Sequence, residues 1–181
     1  DDCVGRTAPR SMVASTAGGG QVDLTTTLRK SEEAPPRRVV VSLDMRVDSI
    51  APGTSSSTHV IAFHCQSTRD SQIYVKVEED GELDLSQTDG PEANPAAPII
   101  LPLGAWKRLE LVLDKDTSGV PAEGPAYVAS LRVDGASYAS LTSAPLLCAS
   151  SGIVVDIGNR VSGGANGSYV VRFDDVIVDW D

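Results

Sequence analysis

Alternation of apolar and polar residues is the dominant pattern along this chain. In the segment 39–47, five apolar side chains occupy the odd positions: Val39, Val41, Leu43, Met45 and Val47. Because successive side chains of a strand point to opposite faces, this spacing predicts a strand with one buried side. The same pattern predicts strands within 60–63, 73–77, 83–85, 109–113, 127–133, 153–157 and 169–180. No stretch has helical spacing, so we predict an all-β chain of roughly eleven or twelve strands.

Turn residues separate the predicted strands and fix their register. A three-residue loop over 79–81, with its glycine in the left-handed conformation, pairs Val77 with Leu83 and keeps all apolar side chains on one face. A shorter loop would set Val77 opposite Asp84 and mix buried with solvated positions. The sequence therefore predicts a hairpin at 79–81, and Asp134-Gly135 predicts a second one.

Composition and charge limit the classes of protein to which this chain can belong. The chain has 181 residues, a mass of 18.9 kDa and a formal charge of −10. This size predicts a single domain over 1–181, with 1–10 as an irregular N-terminal segment. No apolar run approaches the roughly 18 residues needed to span a bilayer. An acidic chain without a basic stripe is not typical of nucleic-acid binding, so we expect neither a membrane span nor a nucleic-acid partner.

The spacing of the cysteines and the first residue of the chain are the two features from which we predict the protein's cellular compartment. Cys3, Cys65 and Cys148 are widely spaced and form no C-x-x-C motif, which argues against a zinc or thioredoxin-like site. At most one internal disulfide can form; three pairings are open, and so is the alternative that the thiols are buried and free. The chain begins at Asp1 without a methionine, which fits removal of an export signal. We therefore expect a secreted or cell-envelope protein.

Several segments, in order, resemble one known superfamily. They are VVVSLDMRV at 39–47, GEL at 81–83, GAWKRLELVLD at 104–114, VDG at 133–135, VDIG at 155–158 and VRFDDVIV at 171–178. Over 11–181 the chain resembles the concanavalin A-like lectin/glucanase superfamily, in particular laminin-G-like jelly-roll modules of secreted bacterial proteins. The resemblance implies an antiparallel two-sheet β-sandwich, a concanavalin A-like jelly roll. It leaves function open, since such folds include glycan-binding modules, hydrolases, polysaccharide lyases and adhesion domains.

The main functional hypothesis is a non-catalytic module that binds a polysaccharide or other glycan on its concave sheet. Tyr74 lies on the polar face of the strand 73–77 beside Lys76, and the predicted register places Ser86 and Asp84 across from them. An aromatic ring with ammonium, hydroxyl and carboxylate neighbours can stack on a sugar and bind its hydroxyls. We therefore expect Tyr74, Lys76 and Asp84 to form the carbohydrate site.

Two alternatives remain open. The segment 78–82 reads Glu-Glu-Asp-Gly-Glu, and the resemblance implies a hydrolase or lyase in which Glu78 and Glu82 act as paired carboxylates. The predicted turn counts against it, because a turn separates carboxylates that a continuous strand would align. The other alternative is a structural adhesion or spacer domain without a small ligand.

The remaining candidate residues are two aspartates that could bind a metal ion, two histidines and one tryptophan. Asp174 and Asp175 break the alternation of the last strand, so either the strand bulges or one carboxylate points inward. The resemblance allows a structural calcium there, and we expect no other cofactor. His59 and His64 are five positions apart, and we interpret them as unrelated to catalysis. Trp106 is expected to be buried in the core.

Overall fold

A computed structural model describes residues 12–17, 21–28, 36–51, 56–65, 72–88, 93, 97–116, 126–145, 153–163 and 168–181. The ordered elements of this part of the chain are all strands: β1 (Met12–Ala17), β2 (Gln21–Leu28), β3 (Arg38–Ile50), β4 (Ser56–Cys65), β5 (Gln72–Val77), β6 (Leu83–Gln87), β7 (Trp106–Lys115), β8 (Ala126–Val133), β9 (Ala136–Pro145), β10 (Ile153–Gly163) and β11 (Ser168–Trp180). No helix long and apolar enough to cross a membrane occurs in these ranges.

The strands form two antiparallel sheets. One has six strands in the order β1-β11-β3-β7-β8-β9, and the other has five in the order β2-β10-β4-β5-β6. Neighbouring strands in each sheet are antiparallel, and many are distant in sequence, as β11 and β3 are. The predicted all-β, two-sheet jelly-roll sandwich is confirmed.

The core lies between the two sheets and is built from alternate residues of each strand. On β3, the odd positions 39–47 are at most 1% exposed, while the even positions are partly exposed. Phe63 of the five-stranded sheet and Phe173 of the six-stranded sheet belong to the same buried cluster. The inner face of each sheet is therefore occupied by the core, and the outer faces carry the polar residues.

Both predicted hairpins are confirmed. Val77 pairs with Leu83, and the amide of Glu78 donates to the carbonyl of Glu82 across the loop 79–81. Gly81 has a φ of 87°, the left-handed conformation that the loop requires. Asp134 and Gly135 both have positive φ values, as in the two-residue turns that match strand twist.

The outer face of the six-stranded sheet carries a charged cluster. The carboxylate of Asp48 accepts hydrogen bonds from Nε of both Arg46 and Arg172. These hydrogen bonds hold the pKa of Asp48 below its usual value. The Arg46 guanidinium also lies 5.1 Å from the centre of the Trp106 ring. Trp106 is 41% exposed, so its predicted burial in the core is wrong: it begins β7 at the sheet's outer side, where Arg46 covers its ring.

Some predictions fall outside the described residues. The segment 1–10, Cys3 and Cys148 lie there, and only the backbone of Cys65 is described, at the end of β4. The disulfide pairing and the single-domain organisation over 1–181 therefore stay predictions.

Candidate functional site

The outer face of the five-stranded sheet brings together the residues expected to bind sugar. In the β5/β6 hairpin, Tyr74 pairs with Ser86 and Lys76 pairs with Asp84, which is the predicted register. The neighbouring Val75 is fully buried in the core, so Tyr74 and Lys76 point to the opposite, outer face. Their role in sugar binding stays a prediction.

Lys76 is held by two carboxylates. Its ammonium nitrogen lies 2.7 Å from Oε1 of Glu78 and 3.1 Å from Oδ2 of Asp84. The hydroxyl of Ser86 donates to the same Oδ2 of Asp84 at 2.6 Å. With 13% of its side chain exposed, Lys76 is a fixed, nearly buried cation and not a mobile surface lysine.

Tyr74 does not stand alone on this face. The imidazole ring of His59 stacks on it, with ring centroids 4.1 Å apart and planes 13° apart. His59 pairs with Lys76, and the register of β4 and β5 then shifts between His59 and Ile61. One face of the Tyr74 ring is therefore covered by His59.

A buried acid–base pair lies on the same face. Nε2 of His64 is 3.0 Å from Oδ2 of Asp156, and both residues are at least nine-tenths buried. His64 belongs to β4 and Asp156 to β10, 92 residues later in the chain. The contact joins two strands that only the sheet pairing brings together.

Ala62 lies at the centre of this arrangement. It pairs with Asp156 on one side and with Tyr74 on the other. His64 follows it along β4 on the same face, and His59 precedes it. The Ala62 methyl group is thus surrounded by two imidazoles, a phenol and a carboxylate. We call this set, with Ala62, the Ala62 cluster.

The Ala62 cluster can transfer protons. An imidazole can accept or donate a proton, and a carboxylate hydrogen-bonded to it fixes its tautomer and orientation. A phenol can donate a proton to an oxygen that is leaving. These groups lie at neighbouring positions of three adjacent strands, as acid–base chemistry on one substrate requires.

Sequence reasoning missed the two histidines and Asp156. Residues an odd number of positions apart, as His59 and His64 are, point to opposite faces of a regular strand. The pairing of β4 with β5 is irregular between His59 and Ile61, and this changes which face the following side chains occupy. Both imidazoles therefore lie on the outer face. The alternation around Asp156 does mark it as facing away from the core, but nothing local connects it with His64.

The paired-carboxylate motif does not form on one strand. Glu78 and Glu82 lie on either side of the turn, and the amide of Glu82 donates a hydrogen bond to Oδ1 of Asp80 within the turn, at 2.9 Å. The Glu78 carboxylate binds Lys76. The single-strand alignment of Glu78 and Glu82 that the catalytic alternative used is therefore wrong, because the chain reverses between them.

Asp174 and Asp175 form a bulge in β11. The pairing with β3 shifts between Asp174 and Ile177, and Asp175 has a φ of 45°. Asp175 is exposed and Asp174 is partly exposed, so of the two open explanations the bulge is confirmed and the inward carboxylate is wrong. In the described part of the chain, no group of three or more His, Cys, Asp or Glu side chains is placed to hold a metal ion. A calcium ion at Asp174 and Asp175 stays a prediction.

Comparisons with known proteins give a consistent result for the fold. The sequence matches no protein-family model and no curated protein sequence significantly. Among solved structures, AlgAT5, an alginate lyase of polysaccharide lyase family 7, has a TM-score of 0.64 and 12% identity, over 94% of this chain and 78% of that chain. Alginate lyase AlyC3 has a TM-score of 0.65 and 10% identity, over 94% of this chain and 75% of that chain.

A third similar structure contains substrate. It is a variant of the family 7 alginate lyase A1-II' in which a histidine is changed to asparagine and a tyrosine to phenylalanine, in complex with substrate. Its TM-score is 0.58 at 16% identity, over 94% of this chain and 77% of that chain. At such identities the likeness establishes the fold, and the activity of this chain must be argued from its own site.

The comparisons correct the main functional prediction. The expectation of a non-catalytic carbohydrate-binding module is contradicted, because the matching folds are those of polysaccharide lyases. They favour the lyase alternative. The resemblance to the concanavalin A-like superfamily is confirmed at the level of the jelly-roll fold.

Proposed function

We propose that this chain is a polysaccharide lyase that cleaves a uronate-containing polysaccharide at the Ala62 cluster. The observation that carries the proposal is the cluster itself: His64 paired with Asp156, and Tyr74 stacked on His59, on one face of the five-stranded sheet. The shared fold with alginate lyases supports it, and alginate is the first substrate to test.

The chemistry of a lyase needs a proton acceptor and a proton donor. The acceptor removes the proton from the carbon that bears the uronate carboxylate, and the donor protonates the glycosidic oxygen as its bond to the next carbon breaks. His64 suits the first role because its imidazole can accept a proton and the carboxylate of Asp156, bonded to Nε2, holds the ring in one orientation. The Tyr74 hydroxyl suits the second, and His59 fixes the orientation of its ring.

Lys76 adds a positive charge beside these groups. Removal of a proton next to a carboxylate places additional negative charge on the substrate, and a fixed cation stabilises such charge. Glu78 and Asp84 hold the ammonium of Lys76. Lys76 and Asp84 form the next outward-facing pair along β5 and β6 after Tyr74 and Ser86. Because the carboxylates of Glu78 and Asp84 balance most of its charge, Lys76 stabilises the substrate's negative charge only weakly, and it takes and gives no proton.

The same proposal includes the location of the protein. Polysaccharides do not cross membranes unaided, so a lyase for such polymers acts where the polymer is. We therefore propose a secreted or cell-envelope location, which cell fractionation with an antibody to the chain would test. Recovery in the cytoplasmic fraction alone would contradict it.

The decisive experiment measures the product of cleavage. The purified chain is incubated with alginate, other uronate polysaccharides and a neutral polysaccharide, and the ultraviolet absorbance of unsaturated uronate is followed together with reducing ends. We expect both signals to rise together on a uronate polymer. Reducing ends without the unsaturated product would indicate hydrolysis and contradict a lyase, and so would the absence of cleavage across the panel.

Variants then test the assignment of the site. Tyr74→Phe and His64→Gln should each reduce the rate by about 100-fold or more, the usual contribution of a proton-transfer group. Glu82→Gln should retain the rate of the unmodified chain, because Glu82 lies across the turn from Glu78 and away from Ala62. Loss of activity in Glu82→Gln but not in the other two variants would instead place the active site at the carboxylates of the turn.

A further inference from the structure

The buried contact between His64 and Asp156 has a consequence beyond the choice of proton acceptor. Nε2 of His64 and Oδ2 of Asp156 are 3.0 Å apart, and the two side chains are 6% and 8% exposed. An ionised carboxylate is costly to bury without a hydrogen-bonding partner. The imidazole supplies one, and in return the carboxylate fixes which nitrogen of His64 carries the proton and how the ring is oriented.

We propose that Asp156 is a positioning residue that fixes the tautomer and orientation of His64 during the reaction. This inference rests on the proposed function and deepens it. The C–H bond next to the uronate carboxylate breaks, its proton passes to the imidazole, and its electron pair forms a double bond to the neighbouring carbon. The bond from that carbon to the glycosidic oxygen breaks, and this oxygen takes the Tyr74 proton. Exchange with water returns the imidazolium and the phenolate to their starting forms.

Other groups on this face surround the pair but do not replace Asp156. Among the described side chains, the titratable groups on the same outer face as His64 include His59 on its own strand β4, Asp156 on β10, Tyr74 and Lys76 on β5, and Asp84 on β6. Lys76 already has Glu78 and Asp84 as partners, so its charge is largely balanced locally. The carboxylate in direct contact with the imidazole is that of Asp156.

The test is Asp156→Asn, which keeps the shape of the side chain and removes its charge. We expect kcat to fall by about 10- to 100-fold with little change in KM. Asp179→Asn is the matched control, because Asp179 is an exposed carboxylate on β11 of the other sheet. A double variant with His64→Gln should be no slower than His64→Gln alone, since residues that act as one unit are not additive.

A purely structural role gives a different pattern. In that case Asp156→Asn lowers the melting temperature while the folded fraction keeps the kcat of the unmodified chain, which would overturn the inference. A variant too unstable for kinetics is replaced by Asp156→Glu, which keeps the charge but displaces it: a positioning role predicts a lower kcat with little change in KM. Full activity of Asp156→Glu and Asp156→Asn would also overturn the inference.

Failure of the proposed function can be told apart from failure of this inference. The chain has two histidines, so nitrogen NMR can follow both rings, with His64→Gln assigning them. If Asp156 positions His64, one tautomer of the His64 ring predominates in the unmodified chain and the tautomers mix in Asp156→Asn, whether or not any polysaccharide is cleaved. Equal tautomer populations in the two proteins would contradict the coupling itself, whereas a coupled pair in a chain without lyase activity would contradict only the proposed function.

Discussion

The imidazole of His59 stacks on the phenol of Tyr74 at a centroid distance of 4.1 Å. These residues lie on neighbouring strands, and their side chains meet diagonally across the sheet, beside Ala62. The stack holds the Tyr74 ring in one orientation. It also leaves at most one face of the ring open to a sugar, so the tyrosine is better placed to offer its hydroxyl than to act as a two-sided aromatic platform.

Substitutions at Tyr74 separate the ring from the hydroxyl. Tyr74→Phe keeps the stack on His59 and removes the hydroxyl, so we expect kcat to fall by about 100-fold with a small change in melting temperature. Tyr74→Ala removes both, so it should lose the same activity and also stability. Steady-state kinetics and thermal denaturation check this pair. Undiminished activity in Tyr74→Phe would remove the tyrosine from the reaction.

A larger residue at position 62 should block the Ala62 cluster. Ala62 is 4% exposed and faces the cluster, whereas Ala129 is fully buried in the core between the sheets. We expect Ala62→Leu to raise KM at least about tenfold, with a smaller loss of stability than the roughly 1 to 3 kcal/mol expected for overpacking the core in Ala129→Leu. Kinetics and urea unfolding measure the two effects. Normal KM and kcat in a folded Ala62→Leu protein would place the substrate elsewhere.

The loop that joins β5 and β6 depends on Gly81. A Cβ atom at Gly81 would lie 3.3 Å from the carbonyl oxygen of Leu101, whereas at Gly135 it would meet nothing within 4 Å. Both glycines have φ near 80°, where a side chain costs about 1 to 2 kcal/mol. Gly81→Ala should therefore destabilise the protein more than Gly135→Ala in urea unfolding. Equal losses would mean that the chain near Leu101 moves away freely.

The charged cluster at Asp48 predicts how stability changes in acid. Arg46 and Arg172 lower the pKa of Asp48 in the folded protein, while the unfolded chain keeps a value near 3.8. A depressed carboxyl pKa stabilises the folded state above the unfolded value, and that contribution is lost as pH falls through the folded value. We expect Asp48→Asn to lower the melting temperature at neutral pH.

The pH series provides the check on Asp48. The difference in melting temperature between the unmodified chain and Asp48→Asn should shrink as pH falls below about 4, where the unfolded carboxyl becomes protonated. Thermal denaturation by circular dichroism at several pH values measures it. A difference that stays constant from neutral to acid pH would show that the substitution acts through shape and not through charge.

The sequence predicted the features that depend on residues close together along the chain. Alternation along β3 determined its buried side, and the turn at 79–81 determined the register that places Tyr74 opposite Ser86 and Lys76 opposite Asp84. In a hairpin, loop length and the burial of one face together permit a single pairing. Tyr74, Lys76, Asp84 and Ser86 could therefore be assigned to one outer face from the sequence alone.

Tertiary structure alone decided that His59, His64 and Asp156 meet on that face. His59 and His64 share a face only because the pairing of β4 with β5 is irregular, a feature that depends on neighbouring strands and not on the spacing of the histidines. Asp156 reaches His64 because β10 lies beside β4, although the two are 92 residues apart. The alternation of a strand determines which face a side chain occupies, whereas the order and register of distant strands determine which side chains meet on that face.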